Sequence, residues 1–187
     1  NKLGYQPPAT GDAYAGIIVY SDSDWFTPPE MLREIIGVEL SEPLIPGISV
    51  NASFWVSPGA FGMLGTVRWT TSGIGLRFTF APLVSQWGLP AANDADIQLE
   101  SILLDTAGWT LVSGTFIPDS AYDALMIGNF VSDSLLTPYL IDPSGNYGVG
   151  YAYVDDVCVA QVPGVCGTPV GLNAPIRFQP LVFPNPA

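Results

Sequence analysis

Five tryptophans, two cysteines and one pair of adjacent aspartates are the residues of this sequence best suited to recognition or chemistry. In SVNASFWVS (49–57) the residue types alternate, with Val50, Ala52, Phe54 and Val56 on one face and Ser49, Asn51, Ser53 and Trp55 on the other. An aromatic ring on a polar sheet face suits stacking against the C–H face of a sugar. Arg77 and Thr79 have the outward parity of the strand pattern IGLRFTF (74–80), so Arg77 is expected over Trp55 as a cation–π partner. Trp25 in DSDWFTPP and Trp87 in SQWGLP sit between Pro and Gly residues, which pre-organise a loop aromatic to meet a ligand or a partner; Trp69 in VRWTT is a similar candidate. The competing reading is ordinary packing, with Trp55 under a loop or a neighbouring subunit and the loop aromatics folded onto the core.

Asp155 and Asp156 interrupt the pattern YAYVDDVCV. Val154 has even parity whereas Val157 and Val159 have odd parity, so an unbroken strand cannot bury all three, and a β-bulge at the aspartates reconciles them. One carboxylate then lies near the core and needs either backbone N–H groups or a hard cation such as Ca²⁺. The acidic pairs Asp22/Asp24, Asp94/Asp96 and Glu39/Glu42 have the residue types of a glycosidase, but all sit in turn contexts where such residues cap backbone groups, so the chain is read as non-catalytic. Cys158 and Cys166 flank a Pro-Gly turn, and either close a small disulfide loop in an oxidising compartment or remain two buried thiols. The acidic pI near 4.1 and the scarcity of lysine favour the disulfide.

Composition removes whole classes of function. Lys+Arg 5 against Asp+Glu 17 gives a net charge of −12, so nucleic acid and anionic membrane surfaces are excluded as main partners. With no histidine there is no imidazole base, no Ser-His-Asp or Cys-His pair and no His-bound zinc. No apolar run reaches the roughly 18 residues of a membrane span. A signal peptide is not recognisable either, which places any such segment upstream or among residues already removed. Gly 20 and Pro 18 in 187 residues break up long helices and favour short strands joined by turns.

The elements that must position these residues are strands of period two. They are expected at 13–20, 34–40, 49–57, 63–69, 74–80, 97–103, 109–117, 122–130 and 149–160, with at most one helical turn within 28–37. Eight or nine short strands at regular spacing predict an all-β, two-sheet antiparallel sandwich or barrel over residues 1–166, followed by a Pro-rich tail at 167–187.

From about residue 4 to 160 the chain resembles a jelly-roll domain of proteins exported by the type IX secretion system of Bacteroidetes, itself similar to carbohydrate-binding sandwich modules. The resemblance is carried by GYQPPATGDAYAGI (4–17), REIIGVELSEPLIPG (33–47), ASFWVS (52–57), SGIGLRF (72–78), LLDTAGWTLVSGTF (103–116), YDALMIGNF (122–130) and YAYVDDVCV (151–159). It implies a jelly-roll β-sandwich, a core-packing role for Trp109, and a structural calcium near Asp155 and Asp156. VFPNPA (182–187) resembles the opening of a C-terminal sorting domain, which implies export to the cell surface or beyond. Related domains begin with one further strand, which is absent here. The alternation of Ile176 and Phe178 with Arg177 and Gln179 in the tail is accordingly expected to supply an added strand, on its own domain or on a neighbour.

These observations predict a secreted, non-catalytic module that attaches to a polysaccharide or a surface protein through Trp55, Arg77, Trp25 and Trp87. The alternative is a structural or adhesive subunit of an extracellular assembly, self-associating by exchange of its tail. The low charged content of 12% and the mean hydropathy of +0.35 favour the alternative, because exposed apolar patches mark interfaces.

Overall fold

A computed structural model describes residues 4–22, 33–62, 65–80, 95–132 and 135–166. Trp25, Trp87 and the tail with its Ile176, Phe178 and VFPNPA lie outside these residues. Within them the chain forms eleven strands: β1 Ala15–Ser21, β2 Ile36–Glu39, β3 Val50–Pro58, β4 Phe61–Gly62, β5 Gly65–Thr71, β6 Ile74–Thr79, β7 Ile97–Gln98, β8 Thr110–Phe116, β9 Ala124–Asn129, β10 Pro138–Leu140 and β11 Tyr147–Ala160. Most of the expected strands are present. The expected strand at 97–103 shortens to two residues, and β4 and β10 are short edge pieces without an alternating signature.

Two sheets pack face to face as an all-β sandwich. The first follows the order β10-β5-β11-β3-β8, with β1 on β11 and β4 on β5; the second follows β2-β9-β6-β7. All pairings are antiparallel except that of β11 with β5. Strand β11 organises the first sheet. Gly150 lies opposite both Tyr20 and Trp69, and Ala152 opposite both Ile17 and Pro58. One edge of β11 therefore carries β1, and the other carries first β5 and then β3.

The core lies between the sheets, as the alternation requires. Val50, Ala52, Phe54 and Val56 of β3, Val112 of β8, and Ala152 and Val154 of β11 meet Ile74, Leu76 and Phe78 of β6 and Leu125 and Ile127 of β9. Burying side chains of this size stabilises the fold by about 1.5–3 kcal/mol each. Phe80, expected on the same face as Phe78, lies past the end of β6 and is exposed against the Tyr122 ring. The bulge at the aspartates is present: β11 shifts register against β3 between Asp155 and Cys158, and Asp156 takes φ +48°. The extra residue turns Val157 and Val159 back onto the core that Val154 already faces. Cys158 and Cys166 are joined in a disulfide, which closes the loop after β11.

Candidate functional site

The polar face of β3 turns outward from the first sheet. Trp55 is half-buried there, directly across from Asp155 of β11 on one side and Leu111 of β8 on the other. Ser57 lies one step further along the same face and is paired with Tyr153. Arg77 is not near this face. It is on β6 of the second sheet, opposite Met126, and its outward parity points to the other side of the sandwich. The expected Trp55–Arg77 cation–π pair is therefore corrected: parity sets which face a side chain takes within its own sheet, but not which sheet its strand joins. The described cation–π contact is Arg68 over Trp69, 5.8 Å from the ring centroid. There Asp22 Oδ2 accepts a hydrogen bond from Trp69 Nε1 (3.0 Å) and lies 3.6 Å from Arg68 Nη1.

Residues 4–10 cross the outer face of the first sheet. Asp155 holds them: its Oδ2 accepts hydrogen bonds from the backbone N–H groups of Ala9 (2.7 Å) and Thr10 (3.1 Å), while Oδ1 accepts from the N–H of Asp156 (2.8 Å). Asp155 is 8% exposed, and what covers it is this N-terminal segment rather than the inter-sheet core expected from the bulge. Three N–H donors satisfy the buried carboxylate, which is the non-metal solution to its burial. Both Asp155 oxygens are thus engaged by backbone N–H groups, and the described residues gather no group of three or more His, Cys, Asp or Glu side chains.

Aromatic rings form the rest of the surface. Tyr14 packs edge-on against Trp109 (centroids 5.7 Å apart) and Tyr153 (4.9 Å), and Tyr153 against Tyr151 (5.5 Å). Trp109 donates from Nε1 to the Pro7 carbonyl (2.8 Å), and the Gln6 amide donates from Nε2 to the Ala107 carbonyl (3.3 Å). Trp109 is thus half-buried on the outer face, pinning the N-terminal segment; its role is structural, but it is not a core-packing residue of the inter-sheet space. Burial, with the nearby Glu34 carboxylate and Tyr14, pushes the Tyr151 phenol up to about 12. Burial likewise raises Tyr153, which has Tyr14 and Tyr151 as neighbours. Both phenols therefore remain neutral donors at any physiological pH.

The sequence reading passed over Ser57, Tyr153, Tyr14 and Gln6. The spacing of YAYVDD already carried part of the signal, since Tyr151 and Tyr153 share the parity of Asp155. Of the acidic residues, Asp24 and Asp94 lie outside the described residues, while Asp22 serves Trp69, Asp96 accepts from the Phe78 N–H (2.7 Å), and Glu39 and Glu42 are exposed.

At one end of the sandwich, exposed aliphatic side chains gather around a single amide. Gln161, just after β11, accepts from the Ile45 N–H (3.0 Å) and donates to the carbonyls of Ile45 and Ile48 (both 3.2 Å). The Gly47 N–H bonds the Pro118 carbonyl (2.8 Å), bringing the end of β8 to the same place. Ile45 (59% exposed), Ile48, Ile117 (65%) and Val162 (61%) lie on or next to the segments that these bonds join, and Val165 is exposed in the loop that the disulfide closes. No protein-family model, no curated protein and no solved structure matches the chain.

Proposed function

We propose that the chain is a non-catalytic attachment module of an exported protein, and that it attaches by stacking a saccharide on Trp55. The observation that carries this is the placement of Trp55: half-buried on an outward sheet face, directly across from a buried carboxylate. A ring for the C–H face of a sugar beside polar groups for its hydroxyls is the usual composition of such a site. The Cys158–Cys166 disulfide supports an oxidising, extracellular setting. No helix among the described residues is long and apolar enough to cross a membrane. Affinity electrophoresis through a panel of polysaccharides, backed by a glycan array, tests the assignment. At least one polysaccharide should retard the protein, with retardation lost in Trp55→Ala; identical, unretarded mobility of both proteins in every gel overturns it.

A second reading, a structural subunit of an extracellular assembly, is favoured by the aliphatic end around Gln161. Exposed side chains such as Ile45, Ile48, Ile117, Val162 and Val165 are of the kind that meet another protein. In this reading copies associate through that end, and the tail contributes by strand exchange.

A further inference from the structure

Two hydroxyls beneath the N-terminal segment are out of keeping with an otherwise well-satisfied face. Ser57 is 0% and Tyr153 1% exposed, and they are cross-strand partners on the outward side of the first sheet. Among the described residues, neither Ser57 Oγ nor the Tyr153 phenol has a hydrogen-bond partner. Buried hydroxyls are nearly always paired, because an unpaired one loses its hydrogen bonds to water and gains nothing in return. Gly4 closes directly over the phenol: a Cβ at Gly4 would lie 2.4 Å from the Tyr153 oxygen. The covered conformation thus gives these hydroxyls no protein partner, and uncovering them would let a ligand supply one.

The covering segment is built to leave without disturbing the core. Its anchors are the two N–H bonds to Asp155, the Trp109–Pro7 bond, the Gln6–Ala107 bond and the bond that the Gln6 backbone N–H donates to the Tyr14 hydroxyl (3.3 Å). None of residues 4–10 belongs to the inter-sheet core, whereas β1, which follows, buries Ile17 and Val19 there. Between the two lie Gly11, Asp12 and Ala13, all exposed, with Gly11 at φ +59° and open space where a Cβ would stand. That is the composition of a hinge between a detachable strap and a fixed strand.

We propose that residues 4–10 are a strap that swings about Gly11–Ala13, and that its opening uncovers a site for a saccharide lined by Ser57, Tyr153 and Asp155 beside Trp55. The inference rests on the saccharide assignment above and extends it: closed, the protein offers a ligand the Trp55 ring; open, it adds two hydroxyls and a carboxylate. A ligand that needs the open form binds with its affinity reduced by the fraction of molecules that are open, so loosening the strap tightens binding.

Hydrogen exchange of the full chain, read at the Ala9 and Thr10 amides that bond Asp155, tests the strap without any ligand. In the wild type these amides should exchange well ahead of the β11 amides around Ala152 and Val154. In the double variant Gln6→Ala, Trp109→Phe, which removes two anchors and none of the site's lining groups, they should exchange about tenfold or more faster still, with β11 unchanged. Exchange of Ala9 and Thr10 only together with β11, in both proteins, overturns the strap. The ligand arm uses any polysaccharide that retards the wild type. Tighter retardation of the double variant supports gating, and equal retardation despite faster exchange overturns gating while leaving the Trp55 assignment intact. If no polysaccharide retards either protein, the saccharide site falls, and exchange alone then decides whether the strap opens.

Discussion

Tyr151 lies against Gly16 so closely that a Cβ there would stand 2.5 Å from the phenol oxygen, and burial, with the Glu34 carboxylate and Tyr14 nearby, sets the acid–base behaviour of the ring. The folded phenol is raised from 10.0 to about 12. Below pH 10 both folded and unfolded chains keep the proton, and the stabilisation of the neutral ring is fully present. Between pH 10 and about 12 the unfolded chain releases a proton that the folded chain retains, so stability falls as pH rises through this window. Spectrophotometric titration should show a late-ionising tyrosine component that shrinks by one residue in Tyr151→Phe, with Tyr153 still contributing to it, and the variant's Tm should fall less steeply across the same range. A native titration complete near pH 10 would contradict this. Gly73, between β5 and β6, is a second sensitive position: at φ +78°, a Cβ would come within 2.3 Å of Val131 Cγ2. Gly73→Ala should cost about 1–3 kcal/mol in denaturant unfolding, from backbone strain with added overlap.

At the scale of elements, β11 does most of the organising, since it bonds β1, β5 and β3 and then bulges at Asp155 before entering the disulfide loop. Replacing both cysteines, Cys158→Ser with Cys166→Ser, should lower stability by about 2.5 kcal/mol on the chain-entropy account of a loop this short. The native protein should also show no alkylatable thiol by intact mass. Much of this level was legible before any coordinates. Alternation in SVNASFWVS gave the buried face of β3, and the parity conflict of Val154 with Val157 and Val159 gave the bulge, because both are local consequences of strand geometry. What was not legible depends on long-range pairing. Trp55 and Arg77 have matching outward parity, yet fall on different sheets. Asp155 is covered by residues 146 positions earlier, a contact that no period within the strand announces. Trp109 has the alternation of a strand residue, but the partner that fixes its role is Pro7, 102 residues away.

For the whole molecule, the sandwich presents two unlike regions: an outer face closed by residues 4–10, and an aliphatic end tied together by Gln161. If copies associate through that end, Ile45→Ser with Ile117→Ser should shift the protein toward monomer in light scattering while changing its unfolding free energy by no more than about 0.5 kcal/mol per substitution, as expected for exposed positions. Unchanged mass at every concentration would remove the assembly reading. The disulfide has a further, mechanical consequence. Tension reaching the fold along the backbone at Cys166 bypasses the intervening loop and enters at Cys158, within a strand paired to β3 beside the cysteine and to β1 further along. A pull along that strand loads many ladder hydrogen bonds together, in shear, instead of peeling them apart one by one from Ala160. The crosslink thereby makes β11 the handle through which force enters the domain, and its reduction would lengthen the force path by the slack of the released loop.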